Sequence, residues 1–331
     1  MFNKETTIIL GAGASCGYGY PLGHDLIDKM ISVASIWGAS DYDDAAVHGR
    51  RIKEMLTFYD PVSIDSFLYH YEHDPELVAW SKICIGQVLL SCANLSRFNR
   101  GGSESQNWYR LLWNAVVGTT NVEKLVDPDY HLNMRIITFN YDASLEAFFF
   151  SRVNQQNSIF RTAEEKRLFL QKLTESIFHV YGCIMDYQWQ GGEDSNHLYE
   201  FREPSDRNQY AYRCREKIML INERQVATYD LIQAWIKEAE QVIFLGFGFD
   251  DLNIGPKVLD LQKTLGRRKD GSIEPWAPLI KYTNFNDSEI INRKVDILTR
   301  HNQGKRGSGL LKSTKDVYRA LSEDFSLNSP H

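Results

Sequence analysis

The chain has 331 residues, of which 43% are hydrophobic and 24% are charged, a composition typical of a soluble globular enzyme. Its 37 basic and 43 acidic residues give a formal net charge of −6, which excludes a general attraction to nucleic acid. We therefore expect nucleic acid to be reached only indirectly, through a partner. No apolar run approaches the roughly 20 residues of a membrane span, so we expect a cytoplasmic protein without membrane contact.

The first predicted element is a strand at Thr6–Leu10, a β-branched and apolar run that ends at Gly11. A glycine-rich segment follows, and then apolar residues recur at helical spacing over residues 22–31. The pattern predicts a strand, a glycine turn and a helix, and it differs from the pattern of a signal peptide.

Helical periodicity dominates from about residue 32 to residue 129, and we predict a helical insertion there. Its clearest helix begins at Pro75, because Asp74-Pro75 is a favoured helix start. Strand signals return in three places, each beside a helical segment: residues 134–139, 177–181 and 241–245. Strands that alternate with helices predict an α/β fold, a Rossmann-like parallel sheet covered by helices on both faces.

We assign the sheet domain to residues 1–31 and 130–300, on either side of the insertion. The last strands of the sheet are predicted at residues 278–282 and 295–298. Residues 301–331 are predicted to form a C-terminal tail with a short helix.

A glycine loop follows the first predicted strand, with Gly11, Ala12, Gly13 and Ser15 ahead of the next helix. Because the side chains are small, backbone N–H groups there can approach a pyrophosphate at a helix N-terminus. A plain tight turn is the alternative. Cys16 replaces the third glycine of the dehydrogenase pattern, and no Gly-Lys-Ser/Thr follows as in a P-loop, so an ordinary oxidoreductase and a P-loop enzyme are disfavoured.

Four motif regions, in this order and at these strand ends, resemble the sirtuin superfamily, and in particular its sirtuin-like NAD-hydrolase branch of bacterial anti-phage defence systems. The motifs are GAGAS with GYPLG (11–15 and 19–23), TFNYD (138–142), HVYG (179–182) and GFGFDD (246–251). The resemblance covers residues 6 to about 255.

The resemblance implies which residues contact NAD. They are Gly11, Ala12, Gly13 and Ser15 at the pyrophosphate, Pro21 and Leu22 in a mobile loop over the nicotinamide side, and Gly246, Gly248 and Phe249 at the adenosine half. Asp65 resembles an acidic position of the same branch, and it is expected in the cofactor site together with Tyr181.

Asn140 and Asp142 are the next residues to which the resemblance gives a role. Asn140 would bind the nicotinamide ribose or the attacking water, and Asp142 would support that site. From the sequence alone, Asn140 follows a predicted strand directly, at the sheet edge where such folds bind ligands. The alternative is that both residues cap the helix that begins near Ser144.

The chain departs from the family at the residue before the glycine of HVYG, where the family's histidine is replaced by Tyr181. His179 stands two residues earlier, and residues i and i+2 of a strand share a face, so both side chains are expected to line one pocket. His179, with an ordinary pKa of roughly 6.5, would then be the base. If Tyr181 holds the catalytic position, its ordinary pKa of roughly 10 predicts binding without cleavage. A histidine satisfied inside the sheet is the third possibility.

The function implied by the resemblance is hydrolysis of NAD, as substrate, to nicotinamide and ADP-ribose in abortive infection, without a metal. Asn140 and a neutral His179 would orient and deprotonate the water, while Asp65 or Asp142 would stabilise the cationic sugar. The chain has no room for a separate sensor domain of roughly 100 residues, so we expect activation by a homo-oligomer, a sensor or activator protein, or both. The alternatives are a nucleotide-binding scaffold subunit of a defence complex and, disfavoured because a four-cysteine zinc spacing is missing, a protein deacylase.

Overall fold

The structure is a computed structural model, and it describes residues 4–39, 44–93, 107–118, 120–156, 158–184, 204–223, 226–265, 277–300, 309–325 and 327. Six strands in this part of the chain form one sheet, and every neighbouring pair is parallel. The strands are β1 (Thr6–Leu10), β2 (Met134–Thr138), β3 (Ile177–His179), β4 (Gln241–Leu245), β5 (Leu279–Thr283) and β6 (Gly309–Ser313).

Helices connect the strands. Before β2 lie α1 (Ala12–Cys16), α2 (Gly23–Gly38), α3 (Asp44–Tyr59), α4 (Ile64–His70), α5 (Pro75–Cys92), α6 (Trp108–Val116) and α7 (Val122–Val126). Later come α8 (Ser144–Val153), α9 (Ala163–Glu175), α10 (Pro204–Lys217), a 3-10 turn (Ile221–Glu223), α11 (Val226–Glu238), α12 (Asp251–Ile254), α13 (Leu261–Thr264), α14 (Glu289–Thr299), α15 (Val317–Arg319) and a π-helical turn (Ala320–Asp324). None of the described helices has both the length and the apolar character needed to cross a membrane.

The central strands β1 and β4 are buried along their whole length, as expected for a parallel sheet with helices on both faces. This confirms the predicted α/β, Rossmann-like architecture. The spatial order is β3-β2-β1-β4-β5-β6. Successive strands are added from β1 toward one side of the sheet as far as β3, and from β4 toward the other side as far as β6, so the order reverses between β1 and β4. Sheets with this order bind ligands in the crevice beyond the carboxyl ends of the strands at the reversal, which we call the switch point.

The register brings the strand ends to one line. Leu10 at the end of β1 lies opposite both Thr138 of β2 and Leu245 of β4, and Thr138 lies opposite His179 of β3. The residues that follow four neighbouring strands therefore lie side by side. The loops after β1, β2 and β4 therefore begin at the same edge of the sheet.

The insertion packs onto the same core as the sheet. Its helix α5 begins as predicted, with Pro75 in the first turn and the Asp74 carboxylate accepting a hydrogen bond from the Leu77 N–H at 3.1 Å. The helix crosses α10 closely, since a Cβ on Gly86 would lie only 2.5 Å from the sulfur of Cys214. The boundaries of the insertion, at residues 32 and 129, stay a prediction.

The C-terminal part holds both a confirmed and a wrong strand prediction. The strand predicted at 278–282 is β5, whereas the one predicted at 295–298 is wrong, because those residues lie in α14. Val295 and Leu298 are both buried, and their spacing of three is that of one helix face. The sheet ends instead with β6, inside the segment predicted as a tail, where the side chains of Leu310 and Leu311 are exposed and give no alternating pattern.

Candidate functional site

The loops after β1 and β4 touch through their backbones. The Gly13 N–H donates to the carbonyl oxygen of Gly246 at 3.1 Å, and the Gly11 N–H donates to that of Leu245 at 3.1 Å. Gly246 has a φ of +58°, and a Cβ there would lie 2.2 Å from the backbone nitrogen of Ala14. These glycines are thus explained by close contact between two loops at the switch point, and their predicted place in an NAD site stays a prediction.

The predicted loop from Gly11 to Ser15 is largely the short helix α1, which begins at Ala12. This helix turns the hydroxyl of Ser15, a buried residue, toward the end of β2. The indole N–H of Trp108, at the start of α6, donates to the carbonyl oxygen of Ala14 at 2.8 Å. A helix of the insertion is therefore fastened to the glycine loop.

Asn140 is held through three of its four polar groups. Its backbone N–H donates to the hydroxyl of Thr138 at 3.1 Å, and its side-chain NH2 donates to the hydroxyl of Ser15 at 2.9 Å. Its main-chain carbonyl oxygen lies 3.0 Å from Nδ1 of His179. The fourth group, Oδ1, has no hydrogen-bond partner in the described residues, although Asn140 is only 8% exposed. A buried acceptor without a partner is costly, so a bound donor is expected at this point.

Asp142 belongs to the same buried cluster. One of its carboxylate oxygens accepts hydrogen bonds from the N–H, at 3.0 Å, and from the hydroxyl of Ser144, and the side chain also bonds to Ser15. Burial raises the pKa of Asp142, against the opposing effect of these hydrogen bonds. Asp142 thus does bond to the first turn of α8, as the capping alternative predicted, while the side-chain amide of Asn140 bonds to Ser15 instead.

These side chains surround a small cavity. Its lining includes Ser15, Tyr109, Asn140, Asp142, Ser144, Glu146 and His179. The cavity volume is about 10 Å³, which is room for one water molecule. The hydroxyl oxygens of Tyr109 and Ser144 lie 2.6 Å apart, and both residues line the cavity, with Tyr109 coming from α6. In this conformation the site therefore admits a water but no aromatic ring.

His179 lies between two acceptors. Its Nδ1 faces the carbonyl oxygen of Asn140, and its Nε2 lies 2.7 Å from a carboxylate oxygen of Glu146, which is also buried. Burial by itself disfavours the imidazolium, but the charge and hydrogen bond of Glu146, the Asn140 carbonyl and the charge of Asp142 outweigh it and raise the pKa of His179. The arrangement matches the alternative of a histidine satisfied inside the fold, and no lone pair is left for a base.

Tyr181 does not share the cavity with His179, so the expectation that both line one pocket is wrong. The strand ends at His179, and the chain then turns, with Gly182 at a φ of +76°, so the i, i+2 rule no longer applies. The hydroxyl of Tyr181 donates instead to Oδ1 of Asn253 in α12. Its ring lies 6.1 Å from that of Tyr141, measured between centroids, and burial raises the pKa of Tyr181.

A second polar cluster, formed by Asp65, Tyr141 and Tyr181, lies beside the cavity. Asp65, from α4 of the insertion, accepts a hydrogen bond from the hydroxyl of Tyr141. Burial raises the pKa of Asp65 to about 7, with the Tyr141 hydrogen bond opposing this and the charge of Asp250 adding to it. The charges of Asp65 and Asp250 also act on Tyr181. The structure therefore brings Asp65 and Tyr181 together, next to the residue that follows Asn140.

The remaining predicted site residues lie outside the cavity. Pro21 and Leu22 precede α2, and Leu22 is 42% exposed. A Cβ on Gly248 would meet nothing within 4 Å, so the surface there is open. Phe249 is buried, has a φ of +52°, and its carbonyl oxygen accepts a hydrogen bond from Nζ of Lys294 at 3.0 Å.

Glu146, Ser144 and Tyr109 line the cavity but are not among the site residues predicted from the sequence. Glu146 lies in the first turn of α8, whereas Asp142 precedes that helix, so no helical spacing between the two points to Glu146. Ser144 was considered only as the start of a helix. Tyr109 lies in the insertion and carries no motif that would connect it to the strand ends.

No protein-family model matches the chain, and no curated protein matches it. The fold and the geometry of the cavity therefore carry the functional argument.

Proposed function

We propose that this chain binds NAD across the switch point and hydrolyses its nicotinamide–ribose bond, releasing nicotinamide and ADP-ribose. The observation that carries the proposal is the unpartnered Oδ1 of Asn140. It is a buried acceptor at the end of β2, beside the glycine loop of β1, where sheets of this strand order bind dinucleotides. The carboxamide of nicotinamide, a ribose hydroxyl or the attacking water can each donate the missing hydrogen bond.

The reaction requires little covalent participation by the protein. The bond between the ribose carbon and the pyridinium nitrogen breaks, nicotinamide leaves as a neutral molecule, and a water oxygen bonds to the same carbon and loses a proton. Asn140 orients the reacting groups, and the carboxylate of Asp142 faces the positive charge that develops on the sugar. Asp65 lies outside the closed cavity, and once the site opens it is suited to take the proton from water, because its pKa of about 7 is near the working pH.

Substrate entry requires the site to open, because a cavity of about 10 Å³ cannot hold a nicotinamide ring. The wall on one side is α6, fastened by Trp108 to the glycine loop and by Tyr109 to Ser144. We propose that a partner protein or a homo-oligomeric assembly moves this helix, and that the isolated chain is nearly inactive. Such control suits an effector of anti-phage defence that depletes cytoplasmic NAD, the role implied by the resemblance.

A nucleotide-binding scaffold without catalysis is the second candidate. Two observations favour it: both ring nitrogens of His179 are engaged, and Tyr181 occupies the position of the family's histidine with its hydroxyl bonded to Asn253. The two functions differ in outcome. A scaffold binds NAD and releases no nicotinamide in any assembly, whereas the hydrolase releases nicotinamide once it is activated.

Calorimetric titration with NAD tests the binding part. We expect the wild type to bind NAD and Asn140→Ala to lose at least about tenfold in affinity, since a hydrogen bond in a buried site contributes on the order of 1.5 kcal/mol. Asn154→Ala, at an exposed asparagine just after α8, is the matched control and should bind as the wild type does. Equal NAD affinity of folded Asn140→Ala and wild type would overturn the assignment.

A further inference from the structure

The pair formed by His179 and Glu146 points to a role other than proton transfer. We infer that His179, held between the Glu146 carboxylate and the main-chain carbonyl of Asn140, is a positioning residue that fixes the direction in which Asn140 presents its unpartnered side-chain oxygen. The inference rests on the proposed function only for the identity of the ligand. The contacts themselves are a property of the protein without ligand.

The chain segments around His179 are fastened to each other beyond the ends of their strands. The Val180 N–H donates to the carbonyl oxygen of Thr138 at 2.8 Å, and the Ile184 N–H donates to that of Tyr141 at 2.9 Å. Between these two bonds, the imidazole of His179 reaches across to the carbonyl of Asn140. The peptide after Asn140 is therefore held from the β3 side, while Ser15 holds the side-chain NH2 from the β1 side.

The chemistry of the two acceptors sets the protonation of the ring. A carbonyl oxygen can only accept, so Nδ1 must carry a proton, and the buried carboxylate of Glu146 favours a proton on Nε2. The other titratable groups that line the cavity are Asp142 and Tyr109. The charge of Asp142, like that of Glu146, raises the pKa of His179. Burial lowers the pKa of His179, but the charge and hydrogen bond of Glu146 more than offset this effect, which favours the form that donates from both nitrogens.

The consequence is a rigid acceptor. With its N–H, its main-chain carbonyl and its side-chain NH2 each in a hydrogen bond, Asn140 keeps one rotamer and presents an unpartnered Oδ1 before any ligand arrives. A ligand then avoids the cost of ordering the side chain, which is the usual origin of tight binding at a preorganised site. Loss of the imidazolium breaks the bond that anchors the ring on Glu146, so it should loosen the hold on the Asn140 peptide and weaken binding without removing any group that touches the ligand.

The ligand-free protein gives the first test. In NMR spectra of protein with 15N-labelled histidine, we expect both ring nitrogens of His179 to be protonated at pH 7, and the Asn140 side-chain NH2 to exchange slowly with solvent. Glu146→Gln should lower the titration midpoint of His179, and His179→Gln should speed the exchange of the Asn140 NH2. A neutral His179 ring in the wild type, or unchanged exchange in His179→Gln, would overturn the inference whether or not NAD binds.

NAD titrations across pH give the second test. Because deprotonation removes the Nε2 proton and breaks the charge-assisted bond that anchors the ring on Glu146, wild-type affinity should be highest below the pKa of His179 and fall about tenfold as pH rises through it. His179→Gln should bind weakly at every pH. His48→Gln is the matched control, since His48 is also buried and paired with a glutamate, Glu76, at 3.5 Å but lies in the insertion.

The outcomes separate the two claims. A rate of nicotinamide release that rises through the pKa of His179, with NAD affinity unchanged in His179→Gln, would make His179 a base and end the positioning role. If both ring nitrogens of His179 are protonated in the wild type but the protein does not bind NAD, the positioning of Asn140 by His179 holds and the proposed function is wrong.

Discussion

The hydroxyl oxygen of Tyr109 lies 2.6 Å from the hydroxyl oxygen of Ser144, and this contact joins the helical insertion to the ends of the central strands. The ring of Tyr109 stacks on that of Tyr18 at a centroid distance of 4.0 Å, and the hydroxyl of Tyr18 accepts a hydrogen bond from the Tyr109 N–H. Tyr109, 29 positions before the motif TFNYD in sequence, thus lines the cavity beside that motif. We propose that this contact controls the entry of a ligand.

Tyr109→Phe tests the closing contact. The variant keeps the ring but removes the hydrogen bond to Ser144, so we expect the closed state to lose about 1 kcal/mol. If closure competes with the ligand, NAD affinity of the isolated chain should rise about fivefold by calorimetry. Tyr212→Phe, at an exposed tyrosine of α10, is the control that should change nothing. Unchanged NAD affinity in Tyr109→Phe would show that α6 does not guard the site.

Asp65 predicts how stability and activity depend on pH. Its folded-state pKa of about 7 lies above the ordinary value, so the folded protein holds the proton more tightly than the unfolded chain does. Protonated Asp65 therefore stabilises the folded protein at low pH. This contribution to the free energy of unfolding, on the order of 2–4 kcal/mol, is lost as pH rises through about 7. Denaturant unfolding from pH 5 to 8 should show this decline in the wild type and a flatter curve in Asp65→Asn.

The rate should respond in the opposite direction. If Asp65 takes the proton from water, nicotinamide release by the activated protein should rise with pH through about 7 and be low at every pH in Asp65→Asn. Asp230→Asn, at an exposed carboxylate of α11, should keep the wild-type profile. A rate that is flat across this range in the wild type would remove Asp65 from the reaction.

Gly246 and Gly248 form a natural pair for testing the switch point. Gly246→Ala places a Cβ 2.2 Å from the backbone nitrogen of Ala14 in a conformation with positive φ, and we expect a loss of about 2–3 kcal/mol or more in unfolding free energy. Gly248→Ala meets open space and should unfold within about 0.5 kcal/mol of the wild type. Similar destabilisation by both substitutions would contradict the close contact between the two loops.

Much of the fold follows from the sequence, because buried parallel strands leave apolar, β-branched runs such as those of β1 and β4. The edge strand β6 was missed for the opposite reason, since its exposed Leu310 and Leu311 carry no alternation. Val295 and Leu298 were assigned to a strand because a short apolar run fits either structure. The burial of one face of α14 distinguishes a helix from a strand here, and this burial is known only from the tertiary structure.

The candidate site was predictable only in part. Strand ends and glycines are local signals, so the meeting of the loops after β1, β2 and β4 could be predicted. The separation of His179 from Tyr181 could not, because the turn after β3 depends on Gly182, whose ideal Cβ would lie 1.9 Å from the carbonyl oxygen of Lys217. The roles of Tyr109 and Asp65 depend on how the insertion packs, which no local pattern encodes.

The most direct test of the central claim is a proton NMR time course of NAD incubated with the protein in its activated assembly. We predict that free nicotinamide and ADP-ribose appear with the wild type and that the NAD signals stay constant with Asn140→Ala. NAD signals that neither shift nor decay in the presence of wild-type protein, or products that form equally fast with Asn140→Ala, would contradict NAD hydrolysis at the end of β2.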